Sequence, residues 1–98
     1  MLNELIVPPE ARTATQADEL VRGWIVDERL VCSLQPSYFE ETPETWGLFL
    51  ADMLHHLCDA LAVETGRDRA ELKTALLAAF KEEVEHPTSD SEGEFLEP

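Results

Sequence analysis

The strongest structural signal in this sequence is a long amphipathic segment between Thr42 and Gly66. Apolar side chains recur along it every three or four residues, which is the spacing of one face of an α-helix. Thr42 is a candidate N-cap, Pro43 suits the first helical position, and Gly66 is a residue type favoured just beyond a helix end. We therefore predict the central core helix here. Its buried stripe is predicted to contain Trp46, Phe49, Leu50, Met53, Leu54, Leu57 and Leu61.

A second helix is predicted directly after Gly66, ending at Pro87. Asp68 is its candidate N-cap, and Glu71 lies three residues later in the position of a capping-box partner. Small alanines on this helix favour close approach to another helix. The predicted buried stripe contains Leu72, Ala75, Leu76, Ala79, Phe80 and Val84.

The N-terminal part predicts shorter elements. Leu5–Val7 is a short apolar run that stops at two prolines, which restricts it to a short or edge strand. Leu30–Leu34 alternates in the manner of a strand and stops before Pro36.

Two interpretations compete for the segment between these strands. Residues 13–27 show helical spacing, with Thr13 as a candidate cap. The alternative is a hairpin strand that starts at Trp24 and turns at Asp27–Arg29. We prefer the helix because its apolar stripe extends back to Ala17. That stripe contains Ala17, Leu20, Val21, Trp24 and Ile25.

Together these elements predict an α+β fold. Three helices pack on a small sheet of one to three short strands, in the order strand-helix-strand-helix-helix. Residues 1–87 are expected to form a single globular domain, and residues 88–98 an acidic, disordered tail. Phe95 and Leu96 are the apolar exceptions in that tail, and we favour fraying over docking for them.

The charge balance narrows the choice of partner. The chain has 21 acidic and 7 basic residues, for a formal net charge of −14. Nucleic acids and anionic membrane surfaces require clustered positive charge, so we expect neither as a partner. A protein partner with a basic surface fits this charge. No apolar segment is long enough to span a bilayer, and the N-terminus lacks a signal-peptide pattern. We therefore expect a cytoplasmic protein with reduced cysteines.

One polar cluster on the predicted central helix has metal-ligand and acid–base residue types. Asp52, His55 and His56 lie within two helical turns, and Asp59 follows at the i+4 position from His55. Helix geometry places Cys58 about 160° around the helix from His56, so one helix cannot supply a tetrahedral site. Asp52, His55 and His56 are thus weak candidates for a metal or acid–base site. We expect no cofactor and assign no catalytic residue.

Three apolar residues are candidates for an interaction surface. Tyr38 and Phe39 are adjacent in a loop, where aromatic side chains either cap a core or bind a partner. Leu48 lies opposite the apolar stripe of the central helix. An edge strand would also leave backbone groups unpaired, and pairing across a two-fold axis would satisfy them. We therefore predict a homodimer.

Three segments together resemble a small bacterial family of uncharacterised, domain-length proteins. They are Glu4-Leu-Ile-Val-Pro-Pro-Glu-Ala11, Trp46-Gly-Leu-Phe-Leu-Ala-Asp52 with the following histidines, and His86-Pro-Thr88. The resemblance covers nearly the whole chain and implies a bacterial, cytoplasmic, stand-alone domain. It transfers no catalytic residue. The acidic turn at Asp27–Arg29 departs from the family, in which glycines are expected.

The sequence therefore favours a non-enzymatic module for protein interaction or homodimerisation. The alternative is a small metal-dependent or acid–base enzyme that uses Asp52, His55 and His56.

Overall fold

The computed structural model describes residues 1–88 and 95–96. They form an α+β arrangement of three helices and a small sheet, which confirms the predicted fold class. The chain divides into two compact units, one up to Gln35 together with the last strand, and the other from Pro36 through the last helix. The elements are α1 (Pro9–Thr13), β1 (Val21–Val26), β2 (Arg29–Leu34), a 3-10 turn (Pro36–Phe39), α2 (Thr45–Thr65), α3 (Arg69–Glu85) and β3 (Phe95–Leu96).

The first unit is built on an antiparallel hairpin. β1 pairs with β2 from Val26 opposite Arg29 to Val21 opposite Leu34. The two linking residues, Asp27 and Glu28, have φ angles of 49° and 68°. Positive φ at both positions is typical of a type I′ turn, whose twist matches that of the flanking strands.

The helix predicted over residues 13–27 is wrong, and the strand–turn alternative is correct. Residues 21–26 form β1, which starts three residues before Trp24, the start that the alternative proposed. The short helix α1 ends at Thr13, before most of the predicted helix. Leu5–Val7, predicted as a strand, has no regular secondary structure. Residues 21–26 form a strand and not a helix because the β-branched side chains of Val21, Ile25 and Val26 favour a pleated strand. β2 supplies the hydrogen-bonding partner of this strand.

The predicted strand at Leu30–Leu34 is confirmed as β2, which begins one residue earlier. β3 pairs with it in parallel, with Cys32 opposite Phe95 and Ser33 opposite Leu96. In the described part of the chain the strand order is β1-β2-β3. For Phe95 and Leu96 the structure thus shows pairing with β2 where we predicted fraying. Residues 89–94 and 97–98 of the predicted tail lie outside the described residues.

The second unit is a helical hairpin whose turn follows the sequence signals. Gly66 ends α2 in the left-handed conformation, with φ 70°, and its N–H donates to the Ala62 carbonyl at 3.0 Å. Asp68 caps α3 by accepting a hydrogen bond from the Glu71 N–H at 3.1 Å. Both predicted signals are confirmed.

The predicted Thr42 cap of α2 is wrong. The chain enters the helix through backbone hydrogen bonds of the i to i+3 type, which include Thr45 N–H to the Thr42 carbonyl at 2.9 Å. The helix itself starts at Thr45, and Glu44 is in the N-cap position without a side-chain cap. Proline disfavours the helical conformation of the residue before it, so Pro43 supports this tighter entry.

The core of the second unit lies between α2 and α3, which pack against each other. Cys58 on α2 is 0% exposed and Leu72 on α3 is 3% exposed; among the described residues they are the only fully buried hydrophobic side chains. Leu54, Leu61 and Leu76 are half-buried. The faces of the two helices that meet are therefore those that carry Cys58 and Leu72.

The predicted buried stripes are correct only in part. Leu50, Met53 and Leu57 of α2 are exposed, and so are Phe80 and Val84 of α3. Each helix thus turns one edge of its apolar stripe toward the other helix and leaves the other edge uncovered.

Candidate functional site

An exposed apolar row on α2, which we call the α2 stripe, consists of Leu50, Met53 and Leu57. These side chains are 49%, 42% and 52% exposed. With Trp46 before them and Ala60 after them, they follow a spacing of alternating four and three residues. Such spacing is the a and d pattern by which helices pair side by side. The α2 stripe therefore has the chemistry and the spacing of a helix–helix interface.

The α2 stripe is separate from the face of α2 that packs on α3. Helix geometry places Leu57 about 100° around the helix axis from Cys58. Since Cys58 marks the face buried against α3, one helix offers two apolar faces. The first is covered within the second unit, and the second is uncovered.

Aromatic side chains join the 3-10 turn to the start of α2. The rings of Tyr38 and Phe39, Phe39 and Trp46, and Trp46 and Phe49 meet edge-on, with centroids 5.0, 5.3 and 5.3 Å apart. The Trp46 indole N–H also donates to the Pro36 carbonyl at 3.1 Å. Phe39 is half-buried and Tyr38 is exposed. The cluster fixes the entry into α2, and a role for Tyr38 and Phe39 in binding a partner stays a prediction.

Leu48 lies on a different surface of α2. It is 67% exposed and is about 160° to 180° around the helix axis from Leu50 and Leu57. The structure therefore does not bring Leu48 together with the α2 stripe. Its role in an interface stays a prediction.

The predicted polar cluster lies on an open helix face. Asp52, His55 and His56 are all exposed side chains of α2. Within residues 1–88, no three His, Cys, Asp or Glu side chains converge on a point that could hold a metal ion. A metal or acid–base role for these residues has no support from a pocket and stays a prediction.

Asp59 has a partner that the sequence analysis missed. The Arg69 guanidinium donates a hydrogen bond to its carboxylate and forms an ion pair that links α2 to α3. The hydrogen bond from Arg69 is the main cause that lowers the pKa of Asp59; desolvation raises this pKa, and the charges of Arg69, His56 and His55 lower it further. The sequence feature that could have indicated this ion pair is the position of Arg69 just after the turn at Gly66. That turn brings Arg69 back beside the end of α2.

The first unit contains an open cleft of about 640 Å³. One wall is residues 3–7, which we call the N-terminal arm, and the other includes Val21 and Trp24 of β1. Arg22 links the two walls because its guanidinium donates to Glu4 at 2.9 Å and to Glu19 at 3.0 Å. No sequence signal indicated this cleft, because residues 21–26 were predicted to be part of a helix and not a strand that forms one wall.

No helix among the described residues is long and apolar enough to cross a membrane.

Comparison with known proteins supports the predicted family. The chain is similar, with a TM-score of 0.74, to a solved structure from the photosynthetic bacterium Rhodopseudomonas palustrus CGA009. That protein carries the provisional name pyruvate dehydrogenase. The two sequences are 25% identical, and the match covers 98% of this chain and 97% of that chain. No curated protein matches the sequence. The sequence pattern of a domain of unknown function, DUF5076, matches residues 4–88. This match covers both helices of the second unit and the hairpin of the first, and so the chain belongs to the DUF5076 family.

Proposed function

We propose that this chain is a non-enzymatic protein-interaction module that forms a homodimer through the α2 stripe. The observation that carries the proposal is the exposure of Leu50, Met53 and Leu57 at the spacing of a helix–helix seam. Exposed apolar residues that form a contiguous patch mark interaction sites, whereas scattered ones need no explanation. A second copy offers the same row in reverse, so two α2 helices would pair across a two-fold axis.

The energetics favour the α2 stripe as the centre of a larger contact. Covering a half-exposed leucine or methionine contributes about 1 kcal/mol, since full burial contributes about 1.5–3 kcal/mol. The six side chains of two stripes would thus contribute on the order of 6 kcal/mol, which offsets only the lower part of the about 4–15 kcal/mol that association costs, so the dimer needs further contacts around the α2 stripe. Trp46 and Phe49 flank the stripe and would extend the contact toward the ~800 Å² per partner of a stable interface.

We place this module in the bacterial cytoplasm. One similar solved structure comes from a bacterium. Cys32 and Cys58 are both free thiols in the structure, which suits a reducing compartment.

A charge inserted into the α2 stripe tests the proposal. Met53→Glu should shift the monomer–dimer equilibrium toward monomer, because the dimer would have to bury two carboxylates. Val63→Glu is the matched control, since it adds the same charge to an exposed position of α2 away from the stripe. Sedimentation equilibrium measures both, and circular dichroism checks that the helices are retained. A Met53→Glu variant that dimerises as strongly as Val63→Glu would refute the proposed interface.

Leu48→Glu separates the two predicted surfaces of α2. Loss of the dimer in this variant, with Met53→Glu unaffected, would move the interface to the opposite side of the helix.

A further inference from the structure

β1 carries unpaired backbone groups along one side. The Gln35 N–H donates to the Leu20 carbonyl at 3.0 Å, directly beyond the last paired residues of the hairpin. In an antiparallel ladder, alternate residues of a strand direct their N–H and C=O groups to the partner strand. Counting from Leu20, the backbone groups of Val21, Gly23 and Ile25 therefore point away from β2. Within the described sheet no strand lies on that side of β1.

Two of these residues line the cleft of the first unit. Val21 and Gly23 are on one wall, and the N-terminal arm is on the other. In residues 1–88 the arm makes no backbone hydrogen bond to another backbone group, and its Leu5 and Ile6 side chains are exposed. Both walls thus combine apolar side chains with unpaired backbone groups.

The cleft is lined by more negative than positive side chains. Its titratable lining residues are three carboxylates, Glu4, Asp18 and Glu19, and the Arg22 guanidinium. Arg22 is already ion-paired with Glu4 and Glu19. The carboxylates outnumber the one cation, so the cleft has a net negative charge that favours a positively charged ligand.

We propose that this cleft binds a short extended segment of a partner protein, with apolar and basic side chains, as an added strand on β1. Addition of a strand to an exposed sheet edge is a recurring mode of peptide recognition, in which main-chain hydrogen bonds supply affinity and side chains supply specificity. The cleft volume of about 640 Å³ is within the ~300–1,000 Å³ that ligand sites occupy. This site shares no residue with the α2 stripe and does not depend on the homodimer.

The test uses the whole protein and three synthetic peptides. The probe is acetyl-Lys-Val-Thr-Val-Thr-Val-Lys-amide. One control peptide has both lysines replaced by glutamates, and the other has its alternate amides N-methylated along the edge that would pair with β1. Amide hydrogen exchange and chemical shifts, followed by NMR, report binding at each residue of β1. On the protein side, Gly23→Pro removes one outward N–H at an edge position where proline is tolerated.

The probe should slow exchange at the amides of Val21, Gly23 and Ile25 and leave those of Arg22 and Trp24 unchanged. The acidic and N-methylated peptides, and the probe with Gly23→Pro, should bind about tenfold more weakly or worse, because charge attraction or a backbone hydrogen bond is lost. Equal binding of the three peptides would overturn the proposal, as would shifts confined to α2 and α3. The amides of Val21, Gly23 and Ile25 could instead become protected as the protein concentration rises, without any peptide. That result would assign the edge of β1 to a second copy of the chain and would also overturn the proposal.

Discussion

Arg69, the first residue of α3, donates a hydrogen bond from its Nε–H to the carboxylate of Asp59 on α2, so one ion pair spans the turn between the two helices. The hydrogen bond lowers the pKa of Asp59 below its ordinary value of 3.8. A carboxyl with a lowered pKa in the folded state stabilises that state above its unfolded pKa, and the gain disappears as the pH falls through the folded pKa. Asp59 therefore stabilises the helical hairpin of α2 and α3 at neutral pH, and this stabilisation is lost in acid.

Asp59→Asn should lower the free energy of unfolding at pH 7 by a small amount, because both side chains are largely exposed and screened by solvent. The difference from the wild type should shrink as the pH falls below 3.8. Urea unfolding of both proteins at pH 7 and at a pH below 3.8 measures this difference in the free energy of unfolding. Glu64→Gln removes an α2 carboxylate that has no ion pair among the described residues. A pH-dependent loss of the same size in this control would contradict the assignment to the Asp59–Arg69 pair.

Gly66 and Gly47 should respond to alanine in opposite directions. Gly66 has a φ of 70°, so Gly66→Ala should destabilise the protein by about 1 kcal/mol. Gly47 lies inside α2, and a Cβ there would meet nothing within 4 Å. Gly47→Ala should therefore stabilise the protein by about 0.5–1 kcal/mol. Thermal unfolding of both variants measures the effects, and a shift of the same sign in both would show that backbone conformation does not set them.

Glu28 is the residue of the hairpin turn whose replacement should raise stability. Its φ of 68° is sterically unfavourable for a residue with a Cβ, and glycine adopts this angle without a steric penalty. Glu28→Gly should stabilise the protein by about 1 kcal/mol. Glu28→Ala removes the same charge without relieving the backbone, and should give none of this gain in urea unfolding. Equal effects of the two variants would attribute the change to charge.

The β1–β2 hairpin is the part of the fold where the structure differs most from the prediction. The turn residues Asp27 and Glu28 lack the glycine that usually signals a two-residue hairpin loop. At the same time, Ala17, Leu20 and Trp24 happen to repeat at helical spacing. Local spacing therefore favoured a helix, while the pairing of β1 with β2, a longer-range interaction, decided the structure.

The helical hairpin shows the opposite case. Gly66 and Asp68 act through their own backbone and their nearest neighbours, so the sequence located both. The pattern also identified α2 as amphipathic, but it did not show which apolar edge faces α3. Cys58 and Leu57 are adjacent in sequence, yet one is buried and the other exposed. Periodicity reports that a residue prefers burial and does not report which surface buries it.

The polar face of α2 gives a prediction for metal ions. Since Asp52, His55 and His56 are exposed and no third ligand converges on any two of them within residues 1–88, zinc should bind no more tightly than millimolar. Isothermal titration with zinc, manganese and nickel measures this, with His56→Ala as the control. Tighter binding that His56→Ala abolishes would support the enzymatic alternative over the interaction module.

The most direct test of the proposed homodimer is sedimentation equilibrium of the wild-type chain over a range of concentrations and salt. The account predicts a monomer–dimer equilibrium in which a dimer of twice the 11.0 kDa chain mass is populated at high micromolar concentration. Each copy has a net charge of −14, so added salt should screen the repulsion and strengthen the dimer. A single species of 11.0 kDa at high micromolar concentration, in low and high salt alike, would contradict the account.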